Sequence, residues 1–468
     1  MASSTYPSDP DRFPHLSLHD LLTARDQYHV HLMRHPNVVA TAIGRYRIRR
    51  RDSWPSRKGP GKIHGRYART MTNSEVRPYS WPAILVFVSE WIPRRRLGEQ
   101  PSDAIPPAVY LSDGRSVPIC VVEAPREETT EVAPIEIRRP LNNIGGGSPI
   151  VAMVQGREHL ATVACLVSDG HTTYALTNRH VAGEPGEVIY ARRDGRLERI
   201  GLSSSRQLTR EAFTTVYPGW PGRDLYVNLD LGLIGVDDLD RWTTDVAGVG
   251  QMERMVDLSV STISLDLIGQ QVRGTGAATG PMRGEIQALF YRYKTSGGFE
   301  YVADVLIGPS TRVAGAERLA THPGDSGTLW LLQDESGVKT GTPPRFCPLA
   351  LQWGRNVLYS GGPARRQSYV LATFLSRACA LLGVDPIRNW NVDQPDTWGA
   401  IGHFSIAALA GNALSRRFPR LVKLIDNNAT IISRDRATIL KGDATGLGSA
   451  AFVPLADVPD FFWKPSIG

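Results

Sequence analysis

The segment from Pro149 to about residue 360 constrains the fold most, because many short runs rich in β-branched residues alternate there with glycine and proline turns. Residues 303–307 (Ala-Asp-Val-Leu-Ile) and 329–332 (Leu-Trp-Leu-Leu) are two of these runs. Short apolar runs bounded by turn residues are typical of β-strands, and a long series of them is typical of all-β barrels. The sequence therefore predicts a mainly β protein with a barrel architecture in this segment.

A glycine-rich turn lies inside this segment, at residues 324–327 (Gly-Asp-Ser-Gly). The flanking Gly324 and Gly327 let the backbone turn sharply, which exposes the Ser326 hydroxyl and directs successive N–H groups into one small space. A serine nucleophile needs such donors for the oxyanion, and it needs a base to take its proton. The tetrapeptide alone fits an ordinary polar turn equally well. An apolar strand follows it directly, however, and so places Ser326 at a strand end.

His180 is the candidate base. It lies in residues 176–183 (Leu-Thr-Asn-Arg-His-Val-Ala-Gly) and follows an apolar run at 174–177, so it too is expected at a strand end. A serine–histidine pair needs a third group to fix the imidazole tautomer.

The candidate for that third group is Asp230, in residues 228–236 (Asn-Leu-Asp-Leu-Gly-Leu-Ile-Gly-Val). A lone carboxylate in an apolar strand is costly unless it has a partner. Asp224, Asp237 and Asp238 are alternatives, but their polar surroundings are typical of solvated surface charges.

The chain order His180, Asp230, Ser326 resembles that of the chymotrypsin/trypsin superfamily. This order is distinctive, because other convergent triads have their residues in other orders. Residues 351–354 (Leu-Gln-Trp-Gly) resemble the strand that lines the specificity pocket in that superfamily. A closer resemblance, over about residues 30 to 385, is to the plant Narrow Leaf trypsin-like protease and its bacterial relatives. It is carried by the glycine-rich turn and by residues 35–39, 82–88, 111–118, 178–182, 267–272 and 303–307.

This resemblance implies two six-stranded antiparallel β-barrels with the triad in the cleft between them. It implies that His180 is the general base and then the general acid, that Asp230 orients it, and that Ser326 is the acylated nucleophile. The backbone N–H groups of Gly324 and Ser326 would hold the oxyanion.

The resemblance also assigns a substrate pocket, formed by Ala320, Gln352, Trp353 and Gly354. Ala320 stands where a pocket-floor residue is expected and offers no carboxylate for lysine or arginine, so small or apolar P1 residues are expected. The chain departs from the superfamily at Thr328, where a second glycine is frequent, and at Val181, where secreted members often have a cysteine.

Three domains are expected: an N-terminal α+β accessory domain over residues 1–140, the protease domain over 141–385, and a partly helical C-terminal extension over 386–468. In the first, a helix begins at Ser17 and ends before Pro36, and strands follow at about 38–48, 83–88 and 117–123. In the second, helical spacing over residues 367–382 with Gly383 as a C-cap predicts a closing helix. The extension's apolar and aromatic residues need burial, either against the protease domain or in a homo-oligomer.

Composition predicts an intracellular enzyme without cofactor or metal. The chain has only 4 cysteines among 468 residues. Cys120, Cys165, Cys347 and Cys379 are widely spaced and in no metal-ligand pattern, which is typical of reduced thiols. No export signal and no membrane-spanning run is recognisable, so the cytoplasm is the expected compartment.

Three patterns are weaker. The net charge of +7 and the basic run between Arg45 and Arg51 suggest the hypothesis of nucleic-acid binding, but a solvated strand edge is the favoured interpretation. His29, His31 and His35 lack a completing ligand and are expected at the surface. Residues 274–280 (Gly-Thr-Gly-Ala-Ala-Thr-Gly) resemble a dinucleotide loop, but the glycine spacing is wrong and a β-turn between strands is expected.

Together these observations predict a serine endopeptidase acting on protein or peptide substrates, with a limited and regulated range. Two alternatives stay open: a non-catalytic binding scaffold with the same fold, and an esterase that uses the same acyl-enzyme chemistry.

Overall fold

The structure is a computed structural model of the chain. It describes residues 15–52, 68–78, 80–92, 104–127, 143–154, 157–193, 196–295, 298–310, 313, 318–334, 344–359 and 366–389. Most of the predicted C-terminal extension lies outside these residues.

The N-terminal unit begins with one amphipathic helix, α1. The Ser17 side chain accepts a hydrogen bond from the Asp20 N–H, and the Asp20 carboxylate accepts one from the Ser17 N–H, so a capping box starts the helix where the sequence predicted it. Leu21, Leu22 and Leu32 are fully buried on its inner face. The elements of this unit are α1 (Leu18–Met33), β1 (Val38–Arg45), β2 (Ile48–Arg49), β3 (Ser74–Glu75), β4 (Pro82–Val88), β5 (Ala108–Tyr110), β6 (Ser116–Glu123) and β7 (Arg126–Glu127).

A run of strands between residues 144 and 246 follows. Its elements are β8 (Ile144–Gly146), β9 (Pro149–Val154), β10 (Arg157–Thr162), β11 (Cys165–Ser168), β12 (Thr173–Thr177), α2 (Arg179–Ala182), β13 (Val188–Arg193), β14 (Arg196–Ala212), α3 (Phe213–Val216), β15 (Tyr226–Val236) and β16 (Trp242–Val246). Seven of these strands pair one after another in an open antiparallel series, in the order β10-β9-β13-β14-β15-β12-β11.

The last described part follows two short 3-10 helices at Leu239–Arg241 and Leu265–Leu267. Its elements are β17 (Gln271–Gly276), β18 (Gly280–Lys294), β19 (Glu300–Gly308), β20 (Leu329–Asp334), β21 (Arg345–Tyr359), β22 (Arg366–Phe374), α4 (Leu375–Leu382) and β23 (Asp385–Pro386). The first six strands pair in a closed antiparallel ring, in the order β17-β18-β19-β22-β21-β20 and back to β17.

The fold is mainly β, as the sequence predicted, but most strands belong to one continuous sheet of 19 described strands. Strand β15 joins the open series to the ring through a parallel contact between Val227 and Val302. The finer expectation of two separate six-stranded barrels stays a prediction.

The N-terminal unit is packed into the same hydrophobic core as the ring. Strand β1 pairs with β18, and Arg25 of α1, fully buried, donates a hydrogen bond to the Phe290 carbonyl at 2.7 Å. Residues 144–242 have a smaller core of their own. The division into domains at residues 140 and 385 stays a prediction, although the shared core ties the first unit firmly to the ring.

The closing helix is shorter than the sequence predicted. Residues 367–374 belong to strand β22, and only residues from Leu375 onward are helical, with Gly383 as the expected left-handed cap. Pairing of β22 with β19 and β21 overrides the helical spacing, which any fully buried apolar run can imitate.

The basic run is also different from the expectation of a solvated edge. Arg47 and Arg49 are buried, and Arg47 donates hydrogen bonds to Gln287 and to the Met71 carbonyl. Likewise His29 is buried rather than exposed, with Nε2 2.8 Å from Glu300. His35 is buried as well. These side chains hold the N-terminal unit in place instead of meeting solvent.

Candidate active site

His180 and Asp230 lie in direct contact. His180 is on α2, the single helical turn that follows β12, and Asp230 is on β15, which pairs with β12. One oxygen of Asp230 accepts the backbone N–H of His180 at 3.0 Å, and the other lies 2.6 Å from the ring Nδ1. Because an ionised carboxylate only accepts, Nδ1 carries a proton, and in the neutral ring the lone pair is then on Nε2.

The backbone at Asp230 is unusual and serves this contact. Its φ is +51°, in the left-handed region, and the Asn178 side chain donates to its carbonyl at 2.8 Å. A non-glycine residue with positive φ is strained unless its surroundings hold it. The hydrogen bonds from Asn178 and His180 supply that support, and they leave the Asp230 side chain only 16% exposed.

The alternative carboxylates lie elsewhere. Asp237 pairs with Arg199 at 2.7 Å and Asp238 with Arg241 at 3.3 Å, both at the surface, and Asp224 is exposed. Of the four candidates, Asp230 is the one that contacts His180.

Ser326 lies in a sharp turn directly before β20. Gly324 and Gly327 have φ values of +104° and +93°, which side chains with a Cβ rarely adopt. The N–H groups of Asp325 and Gly327 donate to His322 and Gln352 carbonyls. By contrast, among the described residues the N–H groups of Gly324 and Ser326 have no protein acceptor, so two donors of the serine turn are available.

Asp325 anchors this turn from below. It is fully buried, and its carboxylate accepts the N–H groups of Ala278 and Thr279 at 3.0 and 2.9 Å, the His322 N–H at 2.8 Å, and the Thr279 hydroxyl at 2.5 Å. Ala278 and Thr279 form the turn between β17 and β18, so the segment that resembled a dinucleotide loop is a hairpin turn, as expected. Its N–H groups bind a carboxylate of the same chain.

Thr162 joins the two halves of the site. Its N–H donates to the Ser326 carbonyl and its hydroxyl to the Gly324 carbonyl, both at 2.8 Å. The Thr177 hydroxyl in turn donates to the Thr162 carbonyl at 2.9 Å. Since Thr177 lies three residues before His180, this chain of bonds brings the serine turn and the histidine to one place.

The hydroxyl of Ser326 and the ring of His180 are not hydrogen-bonded to each other in the described part of the chain. The His180 side chain is 49% exposed, so its outer edge is open to solvent. Catalytic hydrogen bonds are often long or misaligned without substrate and tighten when it binds.

The predicted pocket residues lie in two segments next to the serine turn. Gln352 accepts the Gly327 N–H through its carbonyl, while its side chain is buried and accepts the Trp330 indole N–H at 3.0 Å. Trp353 and Gly354 follow it on β21. Arg355 donates to the Thr321 carbonyl and so ties this strand to the segment that contains Ala320.

Ala320 is exposed and also borders a cavity of about 360 Å³. Three arginines line that cavity: Arg273, Arg283 and Arg318. The surroundings of Ala320 are therefore cationic, which a sequence reading of one position does not reveal.

A second carboxyl group, Asp304 of β19, is buried behind the Asp230 strand. Burial raises its pKa to about 7, although the Phe374 N–H, which donates to it at 2.9 Å, opposes this shift. The neighbouring Thr373 hydroxyl donates to the Asn228 carbonyl at 3.1 Å. Asp304 is thus connected, through Phe374 and the neighbouring Thr373, to the strand that carries Asp230.

Several of these residues were absent from the sequence predictions. Thr162, Thr279 and Asp304 act through contacts with residues far away in the chain, and no local pattern marks them. Asn178 stands within the motif around His180, and Asp325 within the motif around Ser326, so the motifs themselves were the available signal.

The described residues contain no group of histidine, cysteine, aspartate and glutamate side chains that could hold a metal ion. All four cysteines are free. No helix in the described ranges is long and apolar enough to cross a membrane.

A histidine bonded to a carboxylate, beside a glycine-flanked serine and in the chain order His, Asp, Ser, is the arrangement that characterises trypsin-like serine proteases, and the chain resembles that class. The predicted similarity to the Narrow Leaf group within it is confirmed by comparison with known proteins. A family model described as the Nal1 C-terminal domain matches residues 213–361.

Two curated relatives are similar over most of this chain. A probable serine protease of Bradyrhizobium tropiciagri is 45% identical over 97% of the chain and 58% of its own length. The protein Narrow Leaf 1 of Oryza sativa subsp. japonica is 27% identical over 74% of the chain and 56% of its own length. The chain thus spans less than two thirds of either relative.

Among solved structures, Protease A of Thermobifida fusca matches 53% of this chain and 100% of its own, with 17% identity and a TM-score of 0.31.

Proposed function

We propose that the chain is a serine endopeptidase that hydrolyses peptide bonds through an acyl-enzyme. The observation that carries this proposal is the double contact of Asp230 with the backbone and the Nδ1 atom of His180. The name of the Bradyrhizobium relative, a probable serine protease, agrees with it.

In the proposed mechanism, His180 Nε2 takes the proton of the Ser326 hydroxyl while its oxygen attacks the scissile carbonyl carbon. The N–H groups of Gly324 and Ser326 stabilise the oxyanion. This role is supported because neither donor has an acceptor in the part of the chain that the structure describes. The imidazolium then gives its proton to the leaving amine, and a water molecule deacylates Ser326 by the same steps. Asp230 keeps the proton on Nδ1 and stabilises the imidazolium.

The cleft and its specificity follow from the same geometry. We place the substrate between the open strand series and the closed ring, which Thr162 joins, with Ala320, Gln352, Trp353 and Gly354 around the P1 side chain. The cationic surroundings of Ala320 disfavour lysine and arginine at P1.

A fluorophosphonate probe tests the proposal, because it phosphonylates an activated serine. We expect the wild-type chain to be labelled and the Ser326→Ala variant to be unlabelled. Ser261→Ala, at an exposed turn serine, is the matched control and should be labelled like wild type. Absence of Ser326-dependent labelling would favour the alternative of a binding scaffold. Turnover of simple esters without cleavage of any peptide would favour the esterase alternative.

A limited substrate range, homo-oligomerisation and a cytoplasmic location stay predictions. We propose that the extension from residue 386 onward or the N-terminal unit restricts access to the cleft. Deletion of residues 386–468 should then change peptide turnover or assembly, measured by kinetics and by light scattering. If both stayed at the wild-type level, the extension would have no such role.

A further inference from the structure

The hydroxyl of Thr279 lies between two groups of the serine turn. Its Oγ1 atom is 2.5 Å from a carboxylate oxygen of Asp325 and 2.9 Å from the Nδ1 atom of His322. Thr279 itself belongs to the β17–β18 hairpin, 46 residues before Asp325. The contact therefore connects the ring to the turn that carries the nucleophile.

The protons of this contact can be assigned by counting donors. A threonine hydroxyl has one proton and an ionised carboxylate has none, so the Thr279 proton lies toward Asp325. The Thr279 oxygen must then accept from His322, which requires a proton on Nδ1. The neutral tautomer with its proton on Nε2 alone is excluded, whereas the neutral Nδ1–H form and the imidazolium both fit.

The carboxylate of Asp325 depends on these bonds. It is fully buried, and its described partners are four hydrogen-bond donors, of which three are backbone N–H groups. Thr279 supplies the one side-chain donor. A buried carboxylate that loses a charge-assisted hydrogen bond is strongly destabilised, and the adjacent N–H groups of Gly324 and Ser326 would shift with it.

We infer that Thr279 and His322 are positioning residues for the nucleophile turn. His322 Nδ1–H fixes the Thr279 hydroxyl so that its proton points to Asp325, and Asp325 then holds the Gly324 and Ser326 donors in the oxyanion geometry. This inference rests on the proposed serine endopeptidase function. Neither residue touches the reacting atoms. Both act through the oxyanion donors, which bind more strongly in the transition state than in the bound substrate, so their loss should lower kcat more than it raises KM.

Two pairs of variants test it. Thr279→Val keeps the shape and removes the hydroxyl, while Thr279→Ser keeps the hydroxyl. His322→Asn places an amide nitrogen where Nδ1 stands, while His322→Gln places it where Nε2 stands. Thermal unfolding of each variant shows whether it is folded.

The readouts are the second-order rate of Ser326 labelling by the fluorophosphonate, and kcat and KM for a peptide substrate. We expect Thr279→Val to lower the labelling rate and kcat by at least about 10-fold with little change in KM, and Thr279→Ser to restore both. His322→Gln should be slower than wild type and His322→Asn close to it. If Thr279→Val failed to fold, the His322 pair would decide, because that side chain is exposed.

Three results would overturn the inference: labelling of folded Thr279→Val at the wild-type rate, equal losses in Thr279→Val and Thr279→Ser, or equal rates in His322→Asn and His322→Gln. Any of these would mean that the contact merely packs the turn.

A second measurement separates this inference from the proposed function. In the full chain carrying Ser326→Ala, ¹⁵N-histidine NMR reports the tautomer of His322, whose signals are identified by their loss in His322→Asn. A ring protonated on Nδ1, as the neutral form or as the imidazolium, supports the inference even if no peptide is cleaved. A ring protonated on Nε2 alone contradicts it even if the chain is an active protease.

Discussion

Replacement of Asp230 by asparagine tests the central contact of the site most directly. The amide has nearly the volume of the carboxylate but offers one oxygen and one NH₂ group. The backbone N–H of His180, 3.0 Å from one carboxylate oxygen, requires the amide oxygen as its acceptor. The NH₂ group must then face Nδ1, which lies 2.6 Å from the other oxygen. Nδ1 becomes an acceptor and the ring proton moves to Nε2.

The magnitude follows from this change of tautomer. With its proton on Nε2, the ring cannot accept the proton of Ser326, and it also loses the negative charge that stabilises the imidazolium. Removal of the carboxylate in trypsin-like triads lowers kcat by about 10⁴-fold. At about 1.4 kcal/mol for each factor of ten, this corresponds to about 5.5 kcal/mol of transition-state stabilisation. We expect the same order here, because the Asp230 side chain is only 16% exposed and poorly screened by water.

The assay measures kcat/KM on a peptide and the rate of fluorophosphonate labelling for wild type, Asp230→Asn and Asp237→Asn. Asp237 is the matched control, since it follows the same strand but pairs with Arg199 at the surface. Such a pair contributes about 0–1 kcal/mol to stability and nothing to the site, so activity should stay within about 2-fold of wild type. The reasoning is refuted if Asp230→Asn keeps more than about a tenth of the activity, or if Asp237→Asn loses as much.

Three further changes have defined outcomes. A Cβ at Gly327, where φ is +93°, would lie 2.0 Å from the Thr162 carbonyl oxygen. Gly327→Ala should therefore abolish Ser326 labelling and destabilise the fold by at least about 2 kcal/mol, measured by denaturant unfolding. Wild-type labelling of this variant would disprove the close packing of residue 327 against Thr162. Ala320→Asp should raise cleavage after lysine or arginine relative to other P1 residues in a peptide library, and an unchanged profile would remove Ala320 from the pocket. The raised pKa of Asp304, about 7 against an ordinary 3.8, means that the folded chain keeps a proton that the unfolded chain releases, so stability should fall as pH rises from about 4 through about 7. Asp304→Asn should flatten this dependence in thermal unfolding at several pH values, and an equally steep decline in the variant would show that another group is responsible.

The parts of the site that the sequence predicted are those with a local signal. Ser326 stands between two glycines that its turn requires, and His180 follows a strand in a short motif. Asp230 was one of four candidates, and it was preferred because an isolated carboxylate in an apolar strand needs a partner. Its left-handed backbone and the support from Asn178 could not be read from the sequence, because they depend on where β15 meets α2.

The errors have a common physical origin. Residues 367–374 were expected in a helix, and Arg47 and His29 were expected near the surface. In each case the outcome depended on strands or side chains far along the chain: β19 and β21 for the first, Gln287 for Arg47 and Glu300 for His29. Buried apolar runs and buried paired charges have no distinctive local spacing, so only their partners reveal them.

The sequence alone therefore predicted which residues form the candidate site, because a glycine-flanked serine and a histidine at a strand end need particular residue types at particular positions. The tertiary structure decided how those groups are held. Thr162 ties the serine turn to the strands that carry His180, and Thr279 with Asp325 ties it to the ring. The bonds of Thr162 to the serine turn and of Thr279 to Asp325 join residues at least 46 positions apart. Such long-range pairings exist only once the strands have closed around one core.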